Sequence, residues 1–116
     1  RDGLATRLAA TFPGLAASTA VPGDFRFDIA CNATPLGMNG ETAMPYPVDA
    51  FGAHTLVADV VPAPAMTPWL QAARGRGLKI QTGPEMVAAQ FGHVAGHLLG
   101  MPADAVERER SATANA

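Results

Sequence analysis

The chain has 116 residues, room for one compact domain or a piece of a larger one at about 100 to 200 residues per domain, and a two-domain enzyme with a cleft does not fit. With 48% hydrophobic and 16% charged residues it is expected to fold around a core. Eight Lys and Arg against ten Asp and Glu leave a charge of -2 with no basic cluster, so no nucleic-acid partner is expected.

The N-terminus, Arg1-Asp2-Gly3, is not a basic stretch followed by an apolar one, and no run approaches the roughly 18 apolar residues of a membrane span. A cytoplasmic protein with no membrane partner is the expectation. Leu4, Leu8 and Phe12 recur every four residues, which predicts a short amphipathic helix stopped by Pro13-Gly14. Residues 15–21 are small and weakly patterned, a short edge strand closed by Pro22-Gly23-Asp24. Over 25–32, Phe25, Phe27, Ile29 and Cys31 alternate with Arg26, Asp28, Ala30 and Asn32, the period of a strand. Cys31 reads as a small buried hydrophobe; alone and without a CxxC pair, it offers neither an internal disulfide nor zinc.

From Thr34 to Phe51, prolines and glycines predict a long irregular excursion of the kind that more often carries function than filler. Leu56 to Val61 fits a strand buried on both faces, ended by Pro62 and Pro64. Asp59 inside it must find hydrogen-bond partners or remain protonated, and it reads as fixing the following turn rather than as an acid or base. Thr67-Pro68 looks like an N-cap with proline at the first helical position, opening a helix that stops near Gly75 and Gly77. Leu78 to Gln81 is a third short strand. Thr82 and Glu85 have capping-box spacing and launch a helix from about Pro84 to Leu99, and Glu107 to Ala116 reads as a frayed helical end.

Strands alternating with helices predict parallel crossovers and an α/β layered sheet. Ligands of such sheets bind outside the carboxyl ends of the strands, here Asn32 to Thr34, Val60 to Pro64, and Gln81 to Met86. The last of these opens a helix whose free amides and positive dipole end can hold an anion or a polar ligand edge. Asn32 and Thr34 read equally as a strand-end cap, and Met86 and Gln90 as packing and solvent contacts. Met86, Gln90, His93 and His97 share one helical stripe. Two histidines at i and i+4 can ligate a metal, but the glutamate of zinc peptidase helices is missing between them, so helix-face or core histidines and no metal are expected. Gly92 and Gly96 read as a flat stripe for close packing on the sheet.

Three motifs stand in order: Asn32-Ala33-Thr34-Pro35-Leu36-Gly37-Met38; Ala58-Asp59-Val60-Val61 followed by Pro64 and Thr67-Pro68; and Gly83, Met86 and Gln90 in Gly-x-x-Met-x-x-x-Gln. Together they resemble the nucleotide-binding domain of the shikimate and quinate dehydrogenases. The resemblance implies the C-terminal portion of a Rossmann-like, doubly wound parallel sheet in three α-β-α layers, with residues 1–110 a partial nucleotide-binding domain and 111–116 a polar tail. It implies NADP(H)-linked hydride transfer, 3-dehydroshikimate to shikimate, with NAD as the alternative cofactor. Asn32, Ala33 and Thr34 would approach the dinucleotide, Val60, Gly83 and Met86 would line the nicotinamide, and Gln90 would reach the substrate, a small hydroxy acid.

Pro62 stands where the family usually has a tyrosine touching substrate, which keeps open a paralogue acting on quinate or another hydroxy acid. The Gly-x-Gly-x-x-Gly turn, the strand before it and the domain with the catalytic lysine and aspartate are absent from the sequence. No catalytic residue is therefore expected here, and the chain alone is expected to be an inactive fragment of a longer protein. The missing turn also motivates a reading as a non-catalytic α/β interaction module. An uncovered sheet edge would invite a second copy, a homodimer.

Overall fold

The computed structural model describes residues 2–15 and 26–114. Its elements run α1 (Asp2–Thr11), β1 (Ile29–Asn32), a 3-10 turn (Val48–Ala50), β2 (Leu56–Asp59), α2 (Pro68–Gly75), β3 (Lys79–Gln81), α3 (Gly83–Leu99) and α4 (Ala103–Ala114). The three strands form one parallel sheet in the order β1-β2-β3. This α/β arrangement is the one expected from strands alternating with helices. The edge strand predicted over 15–21 lies, beyond Leu15, outside the described residues. None of the described helices is long and apolar enough to cross a membrane.

The core lies between the sheet and α2. Thr67 caps that helix, its hydroxyl accepting the Leu70 N–H at 3.3 Å, and Pro68 occupies the first turn, where a missing N–H costs nothing. Trp69, Leu70 and Ala73 then fall on one buried face against Phe51, Val57 and Leu78. Burying each large side chain of this set contributes about 1.5–3 kcal/mol. The excursion over residues 34–51 joins this core in its second half. The Trp69 indole donates to the Tyr46 carbonyl at 2.9 Å, and Phe27, Tyr46, Phe51 and Trp69 pack with ring centroids 5.2 to 6.0 Å apart. That half of the loop is therefore held by packing.

Three expectations are corrected. The strand predicted over 25–32 begins at Ile29, because the chain bends at Asp28 to turn Phe27 into the aromatic cluster. The bend inverts the alternation: Ile29 is 65% exposed and Cys31 exposed, while Ala30 is half-buried and Asn32 buried, paired with Val57 and Asp59 of β2. Cys31 is accordingly not a core residue.

Gly92 and Gly96 do not pack on the sheet. A Cβ on Gly92 would lie 3.1 Å from the Ala103 carbonyl oxygen, and one on Gly96 would lie 2.6 Å from that of Met101, so the stripe seats α4 and the turn before it. Gly100 makes that turn, ending α3 in the left-handed conformation at φ 65°.

Candidate functional site

Because all three strands run the same way, their carboxyl ends share one edge of the sheet. At the end of β1, Asn32 is buried and its amide is fully engaged inward. Its Nδ2 donates to the Leu36 carbonyl at 3.0 Å and to Asp59 Oδ1 at 3.1 Å. Its Oδ1 accepts the Thr34 N–H at 3.0 Å and the Thr34 hydroxyl at 2.6 Å. These bonds make a tight local turn, the strand-end cap read from the sequence, and they leave Ala33 and Thr34 exposed on the rim. Gly37 lies against α2 at φ 89°, where a Cβ would meet the Thr67 Cβ at 3.0 Å.

At the end of β2, the Val60 N–H donates to the Asn32 carbonyl at 3.1 Å, locking the two strand ends together. Val60 is 37% exposed although Val57, Ala58, Asp59 and Val61 around it are buried. Asp59 is fully buried; it accepts the Val61 N–H at 3.0 Å and the Thr67 hydroxyl at 2.8 Å besides the Asn32 amide. It fixes the following turn, as expected, and no described buried side-chain polar atom is left unpaired.

At the end of β3, Gly83 starts α3 in direct contact with the segment that follows β2: a Cβ there would stand 2.1 Å from the Val61 carbonyl oxygen and 3.0 Å from that of Val60. Glycine is what lets the first turn of α3 close on the rim. Met86 is half-buried one turn in, and Gln90 is exposed, roughly 10 Å beyond Gly83 along the axis at helical rise. The capping box at Thr82 and Glu85 is present. Thr82 donates its N–H at 2.7 Å and its hydroxyl at 2.9 Å to Glu85 Oε2, while the Glu85 N–H donates back to Thr82 Oγ1 at 3.4 Å. These bonds hold the Glu85 carboxyl below the usual range. The Glu85 carboxylate thus takes up the N–H and hydroxyl of the N-cap residue at this helix start.

His93 and His97 are exposed on the helix face, and among the described residues no group of three or more His, Cys, Asp or Glu is arranged to hold a metal ion. Partial burial, and then the nearby Asp59 charge, push the Cys31 thiol up, which keeps it in the protonated, poorly nucleophilic form. The rim therefore offers an exposed apolar side chain at Val60, the half-buried Met86 in the first turn of α3, and the amide of Gln90 and hydroxyl of Thr34 as polar groups. None of these titrates near neutral pH. Leu36, Gly37 and Thr67 stand within the motifs, but the way they brace the rim from behind is set by tertiary contacts. Only the helix-cap signal of Thr67 is visible without tertiary contacts.

No family model matches the chain. Over 64 residues, 55% of this chain and 24% of the relative, it is 44% identical to a shikimate dehydrogenase (NADP(+)) of Staphylococcus epidermidis. Over 59 residues, 51% of this chain and 21% of the relative, it is 41% identical to that of Paracoccus denitrificans. The fold is similar to a crystal structure of shikimate 5-dehydrogenase from Thermus thermophilus in complex with NADP(H) and shikimate. That likeness has a TM-score of 0.57 and 32% identity, over 65% of this chain and 29% of that one. The chain spans about a quarter of the length of the curated relatives it matches.

Proposed function

We propose, from the similarity of the matched stretch to shikimate dehydrogenases, that this chain is the cofactor-binding part of an NADP(H)-dependent oxidoreductase acting on a small hydroxy acid, shikimate first. The carrying observation is the meeting of three parallel strand ends at one edge, with Asn32 paired to Asp59, Ala58 paired to Gln81, and Gly83 closing on the Val60 and Val61 carbonyls. Residues 1–110 would form the dinucleotide-binding unit of a cytoplasmic enzyme.

The donor set fits the nicotinamide half of the cofactor. An exposed valine among buried neighbours gives an apolar surface for a flat ring, and the main chain of Ala33 and Thr34 gives polar edges. In this reading Asn32, Ala33, Thr34, Val60, Gly83 and Met86 would hold the dinucleotide, and Gln90 would donate or accept a hydrogen bond from the substrate. When bound, the nicotinamide supplies or receives the hydride. The protein's part is to orient the ring and keep it against the sheet edge. NADP is favoured over NAD by the relatives.

The test is an assay of the gene product that contains these residues for NADP+-dependent oxidation of shikimate. Met86→Ala and Gln90→Ala are expected to lower kcat/KM by about tenfold or more, the loss of about 1.4 kcal/mol of transition-state binding. No oxidation of shikimate, quinate or related hydroxy acids would overturn the reading. Absence of NADPH binding in the same product would instead support a non-catalytic interaction module.

A second substrate reading rests on Pro62, which is exposed and lines a shallow groove with Pro84, Val87 and Phe91 instead of offering a phenol. It supports a preference for quinate or another hydroxy acid over shikimate. Pro62→Tyr would then shift the ratio of kcat/KM values toward shikimate, and an unchanged ratio would remove this reading.

A further inference from the structure

Asp59 does more than hold its own turn. It has no solvent exposure, and the three groups around its carboxylate come from three different segments: the Asn32 amide ends β1, the Val61 N–H follows β2, and the Thr67 hydroxyl caps α2. A carboxylate only accepts hydrogen bonds, so each of these groups must donate. For Val61 and Thr67 that leaves little choice. For Asn32 it decides which way the side chain stands, because an amide can present either its oxygen or its nitrogen to a partner.

With Asp59 Oδ1 at 3.1 Å and the Leu36 carbonyl at 3.0 Å, two acceptors face Asn32 Nδ2. The opposite sense would set oxygen against oxygen twice and turn the amide nitrogen toward the Thr34 N–H, itself a donor. The sense fixed by Asp59 points Asn32 Oδ1 at the Thr34 N–H and hydroxyl, and those bonds set the course of the exposed backbone at Ala33 and Thr34.

We propose that Asp59 is a positioning residue for dinucleotide binding, acting through the Asn32 amide on the Ala33-Thr34 backbone; this rests on the oxidoreductase reading above. The Thr67 arm does a different job. By accepting the hydroxyl's hydrogen bond on Oδ2, Asp59 leaves the Thr67 oxygen free to accept the Leu70 N–H, so the hydroxyl serves helix α2, while the Thr67 Cβ and methyl that back Gly37 are retained in a valine. The two arms should therefore separate in experiment, one in affinity and one in stability.

The experiment measures NADPH binding by fluorescence titration, together with thermal melting, on the gene product containing these residues. Asn32→Asp sets two carboxylates face to face across the present 3.1 Å contact and is expected to weaken NADPH binding at least about tenfold. Adding Asp59→Asn removes the charge repulsion and lets residue 59 donate to residue 32, at the cost of the acceptor for the Val61 N–H, and is expected to recover part of the affinity, with a Kd at least about threefold lower than that of Asn32→Asp alone. Thr67→Val cuts the α2 arm alone, lowering Tm while leaving the Kd within about twofold.

A rescue of affinity by changing residue 59 is what a merely structural aspartate does not give. Asp59→Leu, which removes the acceptor at similar bulk, is the second variant and is expected to weaken binding like Asn32→Asp. The assignment is overturned if either weakened variant binds NADPH as wild type does, or if the double variant melts cooperatively without recovering affinity. Wild-type product that binds no NADPH overturns the oxidoreductase reading and this assignment with it. Normal wild-type binding with indifferent variants overturns the assignment alone.

Discussion

At Gly83 the missing side chain is what the structure uses. A Cβ there would lie 2.1 Å from a backbone oxygen, a separation no flexible neighbour can relieve, so Gly83→Ala must push α3 away from β2. The expected cost is about 2–3 kcal/mol, at the upper end for overpacking, read as a lower urea midpoint, with NADPH affinity falling because the rim opens. Two other helical glycines calibrate this. Gly92→Ala meets a backbone oxygen at 3.1 Å and should cost less, while Gly75→Ala meets nothing within 4 Å. The latter should stabilise by about 0.5 kcal/mol by restricting the unfolded chain. A midpoint order other than Gly75→Ala, Gly92→Ala, Gly83→Ala from high to low would contradict the close approach described for α3.

Among the elements, α3 carries its own pH sensitivity at its first turn. The Thr82 N–H and hydroxyl bonds keep the folded-state pKa of Glu85 below its ordinary 4.5. A carboxyl lowered on folding adds stability above its unfolded pKa and loses it as pH falls through the folded value. Stability should thus decline as pH drops from about 4.5, and Glu85→Gln, which can still cap but cannot ionise, should flatten that part of the curve. Equal slopes for the two proteins between pH 5 and pH 3 would remove the carboxylate from this account.

The capping box was legible because its spacing is local, and so was Thr67-Pro68. Parallel pairing followed from strands alternating with helices. The inverted faces of β1 were not legible, because the bend at Asp28 is made by an aromatic cluster whose members, Phe27, Tyr46, Phe51 and Trp69, come together only in three dimensions. Likewise the six positions of the rim could be ordered along the chain by motif, whereas the brace of Asp59, Thr67 and Gly37 behind them depends on tertiary contacts.

For the whole molecule, a radius of gyration of 17.5 Å exceeds the roughly 13 Å of a compact chain of this length. Apolar surface is left open as well. Helix α2 covers one face of the sheet, while Ile29 stands open at β1, and along α3 the residues Val87, Phe91, Val94 and Leu98 recur at spacings of four, three and four and are 46% to 78% exposed. A stripe of that spacing is one helical face, and a contiguous apolar face of this kind drives association when left in water. The 116-residue chain purified by itself is therefore expected to self-associate, its light-scattering mass rising with concentration. The paired change Val94→Lys and Leu98→Lys should suppress that rise without altering the rim, since neither side chain borders Asn32, Val60 or Gly83. A mass that stays at one chain across the concentration range, before any substitution, would show that this face is not sticky enough to matter.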